Sequence, residues 1–359
     1  MTTISTAHFL TTLKLGKGAA ESTSVYPIFN HFCFCETYVY TYNDIWAVLV
    51  WIDTPLRVAL RADILLGVLP TLEEEVEFKL GKDVVRLTSG TVKLSLASLP
   101  EEAMLFDPPE VTSWPMKVKL TEAIMAGLAR CVQTVSADSH HREFTGIAFV
   151  AEKNKLTLYS SDDTRISRFE AGECAGNGEW LVPVRGCSQL LELWNGLKET
   201  GTELEAYLFF NEKWATMETE KARVYCKLMP EAPPDYRATI KRIAPKNALW
   251  STVPAELIKA AARAEVLVAK DLGAGLCLTL EDEVLDARLQ EGSRVSYGKF
   301  EEQFPMPGVK GKIKLVIEIV RLNQSLQGAK EIMLSAQCLG LTVGDYTCWI
   351  SPFADQAAE

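Results

Sequence analysis

Three stretches of this chain repeat one pattern: YVYTYNDIWAVLVWID at 38–53, LTLYSSDDTRISRFEA at 156–171 and GLCLTLEDEVLDARLQ at 275–290. Each is an alternating apolar run, a polar turn containing Asp and a second alternating run. That is the pattern of a β-hairpin, because successive strand side chains face opposite sides. Each is followed by an amphipathic helical stretch, RADILLGVLPTL (61–72), VRGCSQLLELWNGL (184–197) or IEIVRLNQSLQGA (317–329), and then by a strand pair within 76–100, 203–230 or 330–353. A helix opens each unit, at 7–15, 119–136 and 254–270. The spacing predicts helix, strands, helix, strands, three times over: an α+β chain of three similar domains.

Two Pro-rich connections, FDPPEVTSWPM (106–116) and PEAPPDYRATIKRIAPKNALWSTVP (230–254), separate the units. Proline removes a backbone donor and restricts the residue before it, so both stretches read as linkers. The predicted domains are 1–112, 113–245 and 246–359.

An apolar content of 48% over 359 residues suits an ordinary soluble protein with room for several cores. The nine cysteines are odd in number, mostly inside apolar runs and form no CxxC pair, the usage of reduced, buried thiols in a cytoplasmic protein. Cys33 and Cys35 in FCFC share one strand face and read as core filling. The N-terminal MTTISTAHFLTTLKLGKG lacks the charged start and long apolar core of a signal peptide. The run Ile45–Ile52 is far short of the roughly 20 residues of a spanning helix. The expectation is a cytoplasmic protein with no membrane partner. A net charge of −10 speaks against nucleic acid only on average, since a basic stripe can sit on an acidic body.

Asp162 and Asp163 end an alternating run, where metal-dependent phosphoryl chemistry would place paired carboxylates. With Glu143 they define the enzyme alternative, a nuclease or phosphotransferase. No GxxxxGK[ST], HExxH or GxSxG accompanies them, and the adjacent His140 and His141 lack a third ligand nearby. Asp162 instead falls in the same turn as Asp44 of the first unit, where Asp bonds its own downstream backbone. No catalytic residue, metal or cofactor is expected.

Basic residues recur on the helices. Plotted at 100° per residue, 119–136 places Leu120, Ile124, Leu128, Cys131 and Val135 on one side and Lys119 and Arg130 on the other. Lys259, Arg263 and Lys270 share a face of the third opening helix. Lys14 and Lys17 end the first, and Arg61, Lys198 and Arg321 belong to the second helices. One basic face is ordinarily just solvated. The same sign in three repeated units fits a shared polyanion, and Lys and Arg bind phosphate backbone without reading sequence.

PPDYRATIKRIAPKNALWSTVPAELIKAAARAEVLV (233–268), SGTVKLSLASLPEEAMLF (89–106) and WLVPVRGCSQLLELW (180–194) resemble the bacterial-type sliding clamp family, the beta subunit of DNA polymerase III. The resemblance covers nearly the whole chain. It implies a homodimeric ring of three similar domains per chain, helices lining the hole and antiparallel sheets outside, closed around duplex DNA without regard to sequence. Such a clamp performs no chemistry. It tethers DNA polymerase and other replication or repair proteins, and an ATP-driven clamp loader opens it.

By the same resemblance Arg142, in the loop SADSHHREF, lies near DNA, and Lys17 substitutes for an arginine the family carries where this chain has Thr23. Leu94, Leu96, Val266 and Leu267 match the dimer interface. Ser161, Arg165, Ile166, Pro234, Thr239, Trp349, Ser351, Pro352 and Phe353 match the pocket that takes partner peptides. Two departures bear on that pocket: Asp163-Thr164 replaces the family's Gly-His, and SPFADQAAE extends past the family's short tail. The remaining alternative is a repeat scaffold that binds proteins without encircling DNA.

Overall fold

The computed structural model describes residues 2–21, 24–111, 114–136, 140–199, 204–245, 248–268, 274–290 and 298–353. Among them are 24 strands and seven α-helices: α1 (Thr6–Gly16), α2 (Ala62–Val68), α3 (Glu122–Val132), α4 (Val184–Glu199), α5 (Tyr236–Ile243), α6 (Ala255–Val266) and α7 (Ile319–Leu326). Apart from α5, the order is one strand, helix, four strands, helix, three strands, repeated three times. The fold is α+β with antiparallel sheets, as the patterning predicts. No helix among the described residues is long and apolar enough to cross a membrane.

The chain divides into two compact units. The first, residues 1–125, 151–155 and 173–230, holds a twelve-stranded sheet. At its centre Trp46–Trp51, the third strand of the first repeat's four-strand run, pairs with Ala222–Lys227, the last strand of the second repeat. Helix α1 buries Phe9 and Leu13 on one face, with Phe9 stacked on Phe34 at 6.0 Å. On the other face Tyr40, Cys33 and Tyr225 join Phe106 of the first Pro-rich connection, and Tyr225 donates to the Pro109 carbonyl at 3.3 Å. FCFC thus points its phenylalanines and cysteines to opposite faces, and burial pushes the Cys33 thiol up to about 12.

In the second unit, residues 126–150, 156–172 and 231–359, two repeats are joined in the same way. Arg165–Glu173 of the second repeat pairs with Tyr346–Ile350, the last strand of the third. A separate sheet runs Glu301–Pro305, Val284–Leu289, Gly275–Glu281, Ile313–Glu318. Helix α7 buries Ile319, Leu322 and Leu326.

Four expectations need correction. The last segment of each unit holds three strands, not two, as in Glu75–Leu80, Val84–Ser89 and Val92–Pro100; tight two-residue turns such as Gly90-Thr91 hide the extra reversal. Lys119 ends the strand Met116–Lys119, and α3 begins only at Glu122, because Thr121 accepts from Ile124 N and starts the helix there. The second Pro-rich stretch contains helix α5, capped by Asp235 accepting from Ala238 N at 2.9 Å, and the strand Leu249–Thr252.

The fourth correction concerns the third hairpin. Gly275–Glu281 pairs with both Val284–Leu289 and Ile313–Glu318, just as His31–Cys35 pairs with both Tyr38–Tyr42 and Arg57–Arg61. The segment 275–290 is therefore the counterpart of 31–42, one hairpin earlier than its match to 38–53. Both hairpins alternate and turn through acidic left-handed residues (Glu36, φ 60°; Asp282, φ 49°; Glu283, φ 66°), so pattern alone cannot separate them.

A Cβ on Gly186 of α4 would overlap the buried Cys226 Sγ, whereas nothing lies within 4 Å of one on Gly67 of α2. Gly186→Ala is expected to destabilise by about 1–3 kcal/mol through overpacking. Gly67→Ala should gain up to about 1 kcal/mol from helix propensity. Thermal unfolding of the two variants checks the opposite signs.

Candidate functional site

The acid pair divides its labour. Asp162 is 8% exposed, and its Oδ1 accepts from Arg165 N at 2.8 Å and from Thr164. Its Oδ2 accepts from Arg165 Nε at 2.8 Å, and the same guanidinium donates to the Gln133 carbonyl and to Gln324. Arg321 lies 3.0 Å from Glu318 Oε2 and 3.6 Å from Asp162 Oδ2, and it also bonds Thr164. Burial pushes the Glu318 carboxyl up, opposed by Arg321. Both Asp162 oxygens are engaged, while Asp163 is exposed with φ 71°. The turn reading therefore holds, shifted by one residue. Asn43 is the counterpart of Asp162, accepting from Trp46 N at 3.0 Å, and Asp44 (φ 70°) is that of Asp163.

This network withdraws three predicted site residues from the surface. Ser161 donates to the Arg165 carbonyl, and Arg165 is 5% exposed, so neither side chain can line an open pocket. Arg321, expected to meet DNA, is held against Glu318 and Asp162, with 22% of its side chain exposed.

Lys14 and Lys17 are exposed around the C-terminal end of α1, where cations suit the helix dipole. The other predicted cations have acidic neighbours: Arg61 with Asp63, Lys119 with Glu205, Arg142 with Glu231, Lys198 with Glu122, Lys259 with Glu256 and Arg263 with Glu302. Arg130 donates to the Gln327 carbonyl and lies over the Tyr346 ring. Lys270 lies outside the described residues. Exposed pairs of this kind are worth about 0–1 kcal/mol, so the cations can be traded to another anion at little cost.

Leu94 and Leu96 alternate with exposed Lys93 and Ser95 on Val92–Pro100 and are themselves half-buried. Among the described residues, Val92–Ala97 pairs on one edge with Val84–Ser89, and no strand takes its other edge. Val266 at the end of α6 is 79% exposed, with Leu267 half-buried beside it.

Trp349 is 6% exposed and packs with Met333 and Cys338 under Ile240, Ile243, Ala244 and Ala248, so its ring belongs to a core. Ile166 pairs with Trp349, and Ile166, Pro234, Thr239, Pro352 and Phe353 are half-buried, while Ser351 is exposed. An open cleft of about 360 Å³ is lined instead by Pro245, Leu249, Ile313 and Leu334, with Lys310, Lys312 and Gln337 at its polar rim. The sequence reading missed these lining residues; Pro245 and Leu249 lie within the second linker, but nothing in the sequence marks Ile313 and Leu334, which the fold brings to them.

No protein-family model matches the chain, and no curated protein does. Solved structures match it throughout. The beta subunit from the DNA polymerase of Streptococcus pyogenes aligns over 98% of this chain and 99% of its own, at 17% identity and TM-score 0.84. The DNA polymerase III subunit beta from Pseudomonas aeruginosa does so over 98% and 99%, at 14% and 0.83. The Helicobacter pylori beta clamp bound to a DNA ligase peptide aligns over 98% and 99%, at 14% and 0.79. The chain therefore has the fold of these beta clamps, as its resemblance implied.

Removing Asp162 would leave Arg165 buried without its ion pair. Asp162→Ala is expected to cost about 3–5 kcal/mol. Asp163→Gly, which relieves a left-handed residue at an exposed turn, should change stability by less than about 1 kcal/mol. Denaturation curves of the two variants, with equal losses as the contrary result, test this division.

Proposed function

We propose that this chain is a DNA sliding clamp, a non-enzymatic processivity factor of the cytoplasm that encircles duplex DNA as a homodimeric ring. One observation carries the reading beyond the fold. Successive repeats are joined in a single register, Cys226 opposite Trp46 and Ile350 opposite Arg165, at equivalent positions of equivalent strands. Two strands of the same two types remain without such a partner among the described residues, Val92–Pro100 of the first repeat and Glu301–Pro305 of the third. A second copy supplies the missing partner for each, and a head-to-tail pair of chains closes by symmetry. In this reading the domains are 1–112, 113–245 and 246–359, two copies giving six.

The helices α1, α3 and α6 open the three repeats and carry or flank Lys14, Lys17, Lys119, Arg130 and Lys259, while Arg61 precedes α2, Arg142 lies in the segment after α3 and Lys198 falls in the last turn of α4. In the ring they face phosphates. Their acidic partners keep the protein soluble and exchange for DNA without large loss, which reconciles a net charge of −10 with polyanion binding. The cleft lined by Pro245, Leu249, Ile313 and Leu334 takes an apolar peptide segment of a polymerase or other replication protein. An ATP-driven loader opens the ring.

Protein placed on nicked circular DNA by such a loader should stay bound through gel filtration and be lost when the circle is linearised. Reversing Lys14, Lys17 and Lys259 to Glu should shorten retention, and the logarithmic salt slope should fall by about 0.9 for each lost phosphate contact. Equal retention on circular and linear DNA contradicts encirclement.

A further inference from the structure

The register repeated at the two joined edges fixes, by equivalence, how a third would form. The hairpin turns place Val92, Ala222 and Tyr346 at matching positions, since Ser89 opposes Val92 and Val343 opposes Tyr346, while Thr219 and Ala222 close the third turn. On the opposing strands, Tyr38 opposes Trp51 and Val284 opposes Pro305, which makes Phe304 the counterpart of Val50 and Glu302 that of Val48. The pairs Ala222 with Val50, Val224 with Val48 and Cys226 with Trp46 then translate into Val92 with Phe304, Leu94 with Glu302 and Leu96 with Phe300.

The central pair is the informative one. Its counterparts, Val224 with Val48 and Ser167 with Cys348, are 0–2% exposed and carry no charge. At the edge left open, that position holds a carboxylate. Glu302 faces the same way as the buried Phe304, and within the single chain its side chain is 31% exposed. Arg263 of α6 reaches it through one nitrogen, Nη2, which donates to both oxygens, at 2.8 Å to Oε1 and 2.6 Å to Oε2. A carboxylate covered by a leucine is tolerated only when a cation stays with it.

We infer that Arg263 is a positioning residue for self-association: it neutralises Glu302 so that Leu94 of a second copy can close over it. The inference rests on the clamp reading for the existence of the second copy. It gives Arg263 a role different from the phosphate contact expected from sequence. Glu301 and Gln303 face the other way, and Glu301 is already paired with Arg288 at 2.8 Å, so neither can replace Glu302 in that seam.

Sedimentation of the full chain across concentration tests this. Arg263→Ala should raise the dimer dissociation constant about tenfold or more, because it strands Glu302 under Leu94. Glu302→Gln alone should leave it within about threefold, and Arg263→Ala with Glu302→Gln should recover most of the loss. That rescue distinguishes positioning from misfolding. For register, Lys93→Cys with Gln303→Cys should cross-link two copies, and Lys93→Cys with Glu302→Cys should not; the nine native thiols are buried or half-buried. An unchanged dissociation constant in Arg263→Ala, or no rescue in the double variant, overturns the role of Arg263 while leaving the clamp reading intact. A wild-type chain that remains monomeric at every concentration defeats the clamp reading itself.

Discussion

The hydrogen-bonded ladder between the sheet edges of successive repeats is the contact on which the rest of the molecule depends. Each backbone bond contributes only about 0.5–1.5 kcal/mol net, but an edge left open in water invites any other strand. This chain pairs Trp46–Trp51 with Ala222–Lys227 and Arg165–Glu173 with Tyr346–Ile350, and buries most of the seam side chains of both. The helices can then carry polar outer faces, because their apolar stripes are fully used on the sheets: Phe9 and Leu13 from α1, Leu322 and Leu326 from α7. In the proposed ring the same ladder, made between copies, leaves no such edge unused.

Charge follows from that architecture. Among the described residues of the second unit, Asp162, Arg165, Glu318 and Arg321 form an ionic network with little exposure and dense hydrogen bonding. It fixes how the turn after Lys155–Ser161 meets α7, and two of its members were expected at a surface. Outside, most predicted DNA contacts sit beside a carboxylate. A surface of weak, exchangeable pairs suits a protein that must hold a polyanion without gripping any one position on it.

Much of this was legible in the sequence. Alternation and helical periodicity located six of the seven helices and the threefold order, because those patterns come directly from burying one face. Alternation could not tell the two hairpins of a repeat apart, hence the displacement of 275–290. Helix α5 was hidden by flanking prolines, although Asp235 three residues before Ala238 is an ordinary cap signal. The site was less legible than the fold. Whether Arg165 and Trp349 face solvent depends on strand partners over 150 residues away in sequence, and the pairing of Arg263 with Glu302 spans 39 positions and two element types.

The most direct measurement is electron-microscope imaging of the purified protein with two-dimensional class averages. A sliding clamp should appear as a closed ring of six lobes around an open hole, formed by two chains. Compact particles without a hole, at concentrations far above any workable dimer dissociation constant, would contradict it.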